Sequence, residues 1–515
     1  YLKFFICFLF FFSLFTFIQT QNYLPRSLSL IFPSFFFLLL ISNRIFVAKI
    51  LKHKYKKNYT KSVIFGFNYS NINTLATNVK IECIIDDSKK YSKRIINGIK
   101  ILSSKEFNNN YSRFNFDIIL INNEITFNKS KNKLRNYIME NNILVQKIFI
   151  KNNQIFTKPY FDFNYFFNRK NKINKLGKTF NKKVILITGA GGSVGSNIVY
   201  QLLKTNYKQL ILLDISEYNL YNLSQNIPNN KNINLLLKDY GNNKDIEEIL
   251  SKYKVDIIFH AAAYKHVPLI ELNPFSALKN NFLDSYKFMQ LSSKYLVPYF
   301  CLISSDKAVR PKNIMGATKR LSELAMIYLS NSKSHNTIFC AVRFGNVINS
   351  SGSVMPLFQN QIDKNIPVTL THKKIIRYFM KIEEAANLVL NTYKIAKGGE
   401  IFLLDMGEPI KLYDLAKLMI QFSGKKLREN GDGDIEIIVI GLRKGEKLYE
   451  ELLVDEMSKK TEVNQIYQSL EKKITNREFI YLLKKINDSY KSSSLNDFTI
   501  AIKSNFINYS TKNEN

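Results

Sequence analysis

Cysteine is scarce in this chain: four occur in 515 residues, Cys7, Cys83, Cys301 and Cys340, and no two stand in CxxC or other metal-ligand spacing. That excludes a disulfide framework and a zinc cluster, and no metal site is expected. Cys301 falls in a short apolar run that reads as a buried strand. Acidic residues are also few, 41 against 74 Lys and Arg, for a formal charge of +33. Such a surplus invites a nucleic-acid reading, which requires the charge on one face or in a recognition motif. Here lysine is scattered among Asn, Ile, Phe and Tyr along the whole chain, so the surplus reads as a compositional bias and no nucleic-acid partner is expected.

Charge is missing altogether from two stretches, Phe4 to Ile18 ("FFICFLFFFSLFTFI") and Leu28 to Ile41 ("LSLIFPSFFFLLLI"), and a basic run follows them: Arg44, Lys49, Lys52, Lys54, Lys56 and Lys57. Each run is shorter than the ~20 apolar residues of a straight span. All-round apolarity ahead of a Lys/Arg cluster nevertheless fits the positive-inside pattern. Residues 1–45 are therefore expected to be a transmembrane segment of a multi-pass inner-membrane protein, with everything beyond Arg44 cytoplasmic. A signal peptide fits poorly, because a second apolar run follows without a small-residue cleavage site. The chain starts at Tyr1 rather than Met, and further spans are expected before it.

Length alone suggests two or three domains. Two segments begin alike, Lys61 to Asp87 and Lys182 to Asp214: each reads as a buried strand, a turn, a helix and a second strand ending in Asp. Strands alternating with helices predict a parallel doubly wound sheet. The fold class is thus α/β, two Rossmann-like doubly wound parallel sheets after the membrane segment. The expected domains are 46–165, Rossmann-like without a cofactor, and 182–515, cofactor-binding and catalytic with a C-terminal substrate-binding part. The polar stretch Asn168 to Asn181 is the expected linker.

The first unit lacks what the second has. Its turn keeps only Gly66, with Asn68 and Asn71 where a dinucleotide fingerprint needs glycine. Side chains there would obstruct a pyrophosphate at the helix N-terminus. In the second unit the turn is Gly189-Ala-Gly-Gly192-Ser193-Val194-Gly195, after the apolar strand Val184 to Thr188 and before a helical pattern. That context gives an otherwise weak glycine motif its meaning. Asp214 arrives 19 residues after Gly195, at the end of the next strand, where a carboxylate accepts from ribose hydroxyls and repels a 2′-phosphate. NAD is the expected cofactor.

Further on, "VDIIFHAAAYKHVP" reads as a buried strand, Val255 to His260, running into Ala261, Ala262 and Ala263. Small residues there admit a cofactor, and Tyr264, Lys265 and His266 enter the crevice beyond. The next strand, Tyr299 to Ser304, delivers Ser305, Asp306 and Lys307 to the same edge. Lys319 follows on the helix "ATKRLSELAMIYL", four residues beyond Met315 and on its face. A short-chain dehydrogenase would have Tyr four residues before that lysine, and this chain does not.

These segments, with "LLDISEYNLY", "VRFGNVINSSGSVMPLF", "RYFMKIEEAANLVL", "GGEIFLLDMGEPIKLYDLA" and "GLRKGEKLYEELL", resemble the long membrane-anchored nucleotide-sugar 4,6-dehydratases, the CapD-like family of the extended short-chain dehydrogenase/reductases. The resemblance spans roughly Lys182 to Asp455. It implies that Met315 is a family feature, and that acid/base work passes to Ser305, Asp306 and Lys307, with Ser305 standing for the more usual Thr. Lys307 is assigned as base, Asp306 as acid, Ser305 as partner of the carbon 4 hydroxyl, and Lys319 as holding the nicotinamide ribose. Burial and a nearby cationic nicotinamide are expected to deprotonate Lys307. The cofactor cradle is taken to include Ser193, Val194, Ser216, Asp239 and Tyr240. Lys265, His266, Asn346, Ser353, Arg377, Arg443 and Glu446 are expected to meet the UDP-sugar. The activity implied is a configuration-retaining, NAD-dependent UDP-N-acetylglucosamine 4,6-dehydratase for a surface glycan, as a homo-oligomer. Rival readings are a 4- or 5-epimerase on the same fold, and a catalytically silent membrane scaffold. The intact glycine turn, Asp306-Lys307 and Lys319 argue against the scaffold.

Overall fold

The computed structural model describes residues 60–67, 79–159 and 173–510 apart from short breaks, with a few positions between 35 and 46. The two apolar runs, Asn68 and Asn71 lie outside the described residues, those few positions aside. No helix among the described residues is long and apolar enough to cross a membrane.

Two sheets organise the chain. The first runs Ile95–Ile96, Ile99–Leu102, Val79–Ile85, Thr60–Phe65, Ile118–Ile121, Leu144–Lys151, Gln154–Pro159 across its width. Its inner five strands are parallel and its two outer ones antiparallel. The second sheet has nine strands: Ile233–Leu237, Gln209–Asp214, Val184–Thr188, Ile257–His260, Tyr299–Ile303, Ile338–Arg343, Glu400–Leu404, then Ile466–Ser469 and Ser458–Lys460. All pairings through Glu400–Leu404 are parallel, and the last two strands return antiparallel.

The parallel strands are buried on both faces, which is why they read as continuous apolar runs rather than as alternation. Val184, Leu186, Ile211 and Leu213 point into a core shared with the helices Asn243–Tyr253, Ser285–Lys294 and Ile314–Ser330. Ile185, Ile187, Leu210 and Leu212 point the other way, onto the helices Ser193–Leu202 and Ile382–Asn391. The second unit reaches back before residue 182: Phe180 is fully buried in that core, and the Asn174 N–H donates to Asn387 Oδ1 at 2.9 Å.

One further core joins what reads as two domains. Val63, Phe65, Cys83 and Ile119 of the first sheet share it with Met355, Phe358, Leu415, Met419 and Phe422 of the C-terminal part. The helix Leu412–Phe422 packs against the strand Leu144–Lys151 and the helix Lys131–Glu140. Its fully buried Gln421 donates from Nε2 to the Ile138 carbonyl at 3.2 Å, near the end of that helix.

Candidate active site

The parallel register gathers the expected site residues. Thr188 pairs with His260, and His260 with Leu302. The segments leaving these strand ends, the Gly189 turn, Ala261–Ala263 and Ser304–Lys307, therefore arrive at one sheet edge. Strand order reverses between Val184–Thr188 and Ile257–His260, which is where a doubly wound sheet opens its crevice.

Close approach shapes the nucleotide end. Gly189 has φ +64°, and a Cβ there would stand 2.8 Å from the Ala262 nitrogen. Gly192 caps the helix Ser193–Leu202, and a Cβ on Gly195 would overlap the Gly189 carbonyl oxygen. A helix start that Gly192 caps without a side-chain hydrogen bond suits a pyrophosphate. The buried carboxylate of Asp214 accepts from the N–H groups of Gly191 and Ser216, each at 2.9 Å. Gly191 thus belongs to the cradle although the motif spacing does not single it out; the glycine run was its signal. Ser216 Oγ caps the helix Glu217–Gln225, and Ser193 Oγ accepts from the Ser351 N–H at 3.1 Å. Val194 packs at the margin of the core. Asp239 accepts from the Gly241 N–H at 2.8 Å. Tyr240 turns inward: its ring packs edge-on against His260, and its hydroxyl donates to the Asn280 carbonyl, so any contact in the crevice falls to its backbone.

The first unit has the same carboxylate arrangement around a different turn. Asp86 accepts from Phe67 N–H and Ser88 N–H at 2.7 Å each, as Asp214 does from Gly191 and Ser216. There Asn123 stands against Gly66, its backbone nitrogen 2.8 Å from where a Cβ would be. Ala262 stands against Gly189 in the same way in the second unit, with a shorter side chain.

At the chemical end, Ser305 caps a short 3-10 turn, Asp306–Ala308. Its hydroxyl donates to Asp306 Oδ1 at 2.8 Å and accepts from the Lys307 N–H at 3.2 Å. Lys307 Nζ donates to the same Oδ1 at 3.0 Å and to Asn346 Oδ1 at 3.4 Å. Asp306 is 1% exposed, and its Oδ2 is buried without a hydrogen-bond partner. Lys319 is buried and donates from Nζ to the Ile303 carbonyl at 2.8 Å, and burial pushes its ammonium down to about 8. Met315 lies one turn earlier on Ile314–Ser330, buried in the core.

The charge on Lys307 corrects an expectation. Burial does favour the neutral amine, but Asp306 and Glu450 together outweigh it and hold the ammonium above the ordinary lysine value. A lysine between two carboxylates rests protonated.

The residues expected to meet the substrate divide. Asn346 touches Lys307 directly, and Arg377, buried, places Nε 3.6 Å from Glu450 and Nη2 3.6 Å from Glu446. Glu446 also accepts from the Arg443 backbone N–H at 3.1 Å, while the Arg443 side chain is exposed. His266 packs over Gly352, and Ser353 Oγ, beside it at the start of the helix Val354–Asp363, is buried without a partner. Burial lowers the Lys265 ammonium and, with Lys265, the His266 imidazole. Glu450 is the residue that sequence reasoning missed: 3.6 Å from Lys307 Nζ, buried, with Oε2 lacking a partner.

Comparison with known proteins converges on this half of the chain. Residues 185–471 match the family described as polysaccharide biosynthesis protein. The capsular polysaccharide biosynthesis protein CapD of Staphylococcus aureus is 45% identical over 282 residues, 54% of this chain and 46% of that protein. The chain thus spans a little under half the length of that relative. A UDP-glucose 4-epimerase of Rickettsia canadensis is 31% identical over 329 residues, 62% of this chain and 91% of its own length. Among solved structures, Pen from Bacillus thuringiensis is similar at 35% identity and a TM-score of 0.52, covering 58% of this chain and 90% of that one.

Proposed function

This chain belongs to the polysaccharide biosynthesis protein family, and from that premise we propose that it is an NAD-dependent 4,6-dehydratase of UDP-N-acetylglucosamine, retaining configuration at carbon 5. The observation that carries the reading is the Asp306–Lys307 pair, 3.0 Å apart at a strand end, in a site whose helix presents Met315 in place of a phenol.

The cradle fits a dinucleotide: the helix Ser193–Leu202 starts at Gly192 with no side-chain cap over its N–H groups, and Asp214 disfavours a 2′-phosphate. When bound, that group supplies reversible hydride storage, taking hydride from sugar carbon 4 and returning it to carbon 6. The 4-keto sugar has an acidic proton at carbon 5. Transfer of one proton from Lys307 to Asp306, across their 3.0 Å contact, turns the ion pair into a neutral amine and a carboxylic acid. The carbon 4 hydroxyl releases its proton to solvent as it is oxidised; Lys307 accepts the carbon 5 proton, Asp306 gives its own to the departing carbon 6 hydroxyl, Lys307 returns a proton to carbon 5, and one proton from solvent restores the ion pair. Ser305 orients the carbon 4 hydroxyl, and Lys319 holds the nicotinamide ribose. Arg377 serves the nucleotide diphosphate, for which its planar fork is suited. The apolar runs before Arg44 anchor the enzyme in the inner membrane, catalytic units on the cytoplasmic side.

A second reading is 4-epimerisation, favoured by the similarity to the Rickettsia canadensis epimerase. Incubation with UDP-N-acetylglucosamine separates the two. Dehydration lowers the product mass by one water, and epimerisation leaves it unchanged.

A further inference from the structure

The proposed elimination leaves one buried carboxylate beside its base unused. Glu450 lies in the irregular stretch 441–451, which contains no helix or strand. Its side chain is 4% exposed, and Oε1 stands 3.6 Å from both Lys307 Nζ and Arg377 Nε. Oε2 is buried with no hydrogen-bond partner. A carboxylate so withdrawn from water is costly unless its charge is used. Both contacts are longer than hydrogen bonds, so Glu450 acts on its neighbours through charge rather than through a fixed bond.

We propose that Glu450 is a positioning residue of the acid–base group: shared between Lys307 and Arg377, its carboxylate keeps Lys307 an ammonium against Asp306 between turnovers and ties that charge to the arginine of the nucleotide end. Four charged groups meet here. Asp306 and Glu450 face Lys307 from the 3-10 turn and the 441–451 stretch, and Arg377 faces it from the strand Ile376–Arg377, opposing them. Glu446 competes with Glu450 for Arg377, and Lys447, also buried, senses Glu450, Glu451 and Asp306. With two anions around it, Lys307 sheds its proton only by passing it to a neighbour.

The inference rests on the dehydratase reading only for its catalytic consequence. Competitive labelling of the full chain with acetic anhydride over a pH series, quantified for the Lys307 peptide by mass spectrometry, reads the ammonium without any substrate. In wild type the labelling midpoint should lie above that of ordinary lysines. In Glu450→Gln it should fall by about one pH unit or more, the effect of removing an opposite charge within ~4–6 Å. Glu450→Asp, which keeps the charge but withdraws it, should fall between, and serves alone if Glu450→Gln does not fold. Glu446→Gln, which faces Arg377 and not Lys307, should leave the midpoint near wild type. An unchanged midpoint in a folded Glu450→Gln, or an equal fall in Glu446→Gln, overturns the proposal. In the active enzyme, the alkaline limb of the turnover–pH profile, where the pair loses the proton that Lys307 passes to Asp306, should move down with the Lys307 midpoint in Glu450→Gln, a movement that a merely structural role does not produce. A wild-type chain that labels as expected but releases no water from UDP-N-acetylglucosamine would reject the dehydratase reading and leave Glu450 in place.

Discussion

A Cβ placed on Gly316 would overlap the carbonyl oxygen of Lys307 and stand 3.0 Å from its carbonyl carbon. The first turn of Ile314–Ser330, capped by Asn313 Oδ1 on the Gly316 N–H at 2.8 Å, is thereby pressed against the backbone of the Asp306–Ala308 turn. Glycine inside a helix normally costs about 1 kcal/mol relative to alanine. Here overpacking against backbone, about 1–3 kcal/mol, outweighs that gain. Gly316→Ala should lower thermal stability and turnover together, and a variant at least as stable as wild type in thermal unfolding would refute the close packing.

Asp306→Asn and Lys307→Ala should each cut turnover by about 10²–10⁴-fold, the usual worth of a placed acid or base. In deuterated water the wild-type product should gain deuterium at carbon 5. Retention of wild-type carbon 5 exchange in Lys307→Ala would move the base elsewhere, to Lys265 or His266.

Asp214 accepts two backbone N–H groups, and an amide side chain has one acceptor oxygen for both. A hydrogen bond to a charged group contributes about 1.5–3 kcal/mol. Asp214→Asn should therefore weaken NAD binding about ten- to a hundredfold and narrow the preference for NAD over NADP. The chain has no tryptophan, so calorimetry is the direct measurement. Equal affinity of wild type for NAD and NADP would contradict the role given to the carboxylate.

Lys319 gives a pH signature. Burial depresses its folded value to about 8 from an ordinary 10.5. Between those values the unfolded chain binds more protons, so this group's contribution to stability rises with pH across that window, and below about 8 its cost is constant. Lys319→Met should unfold at a higher temperature than wild type at pH 7, with the gap closing toward pH 10. A gap that widens with pH would reverse the sign and show Lys319 to be paired with a buried anion.

The glycine turn, Asp214, the alanine run and Asp306-Lys307 were legible in the sequence because each depends on neighbours within a few residues. An apolar strand must end in a turn, the turn must be small to admit a phosphate, and parallel pairing then brings successive strand ends to one edge whatever the rest of the chain does. The absence of tyrosine before Lys319 was equally plain. Tertiary structure decided what depends on distant segments. Burial and a cationic nicotinamide predict a neutral Lys307; Asp306 beside it, together with Glu450 from an irregular stretch far along the chain, outweighs burial and holds the ammonium. Gln421 and Ile138, 283 positions apart, fuse the first sheet with the C-terminal part into one core, and no local periodicity reports a partner at that range. Short-range sterics and hydrogen bonding are written residue by residue, whereas the electrostatic state of a buried group is the sum over whatever the folded chain brings near it.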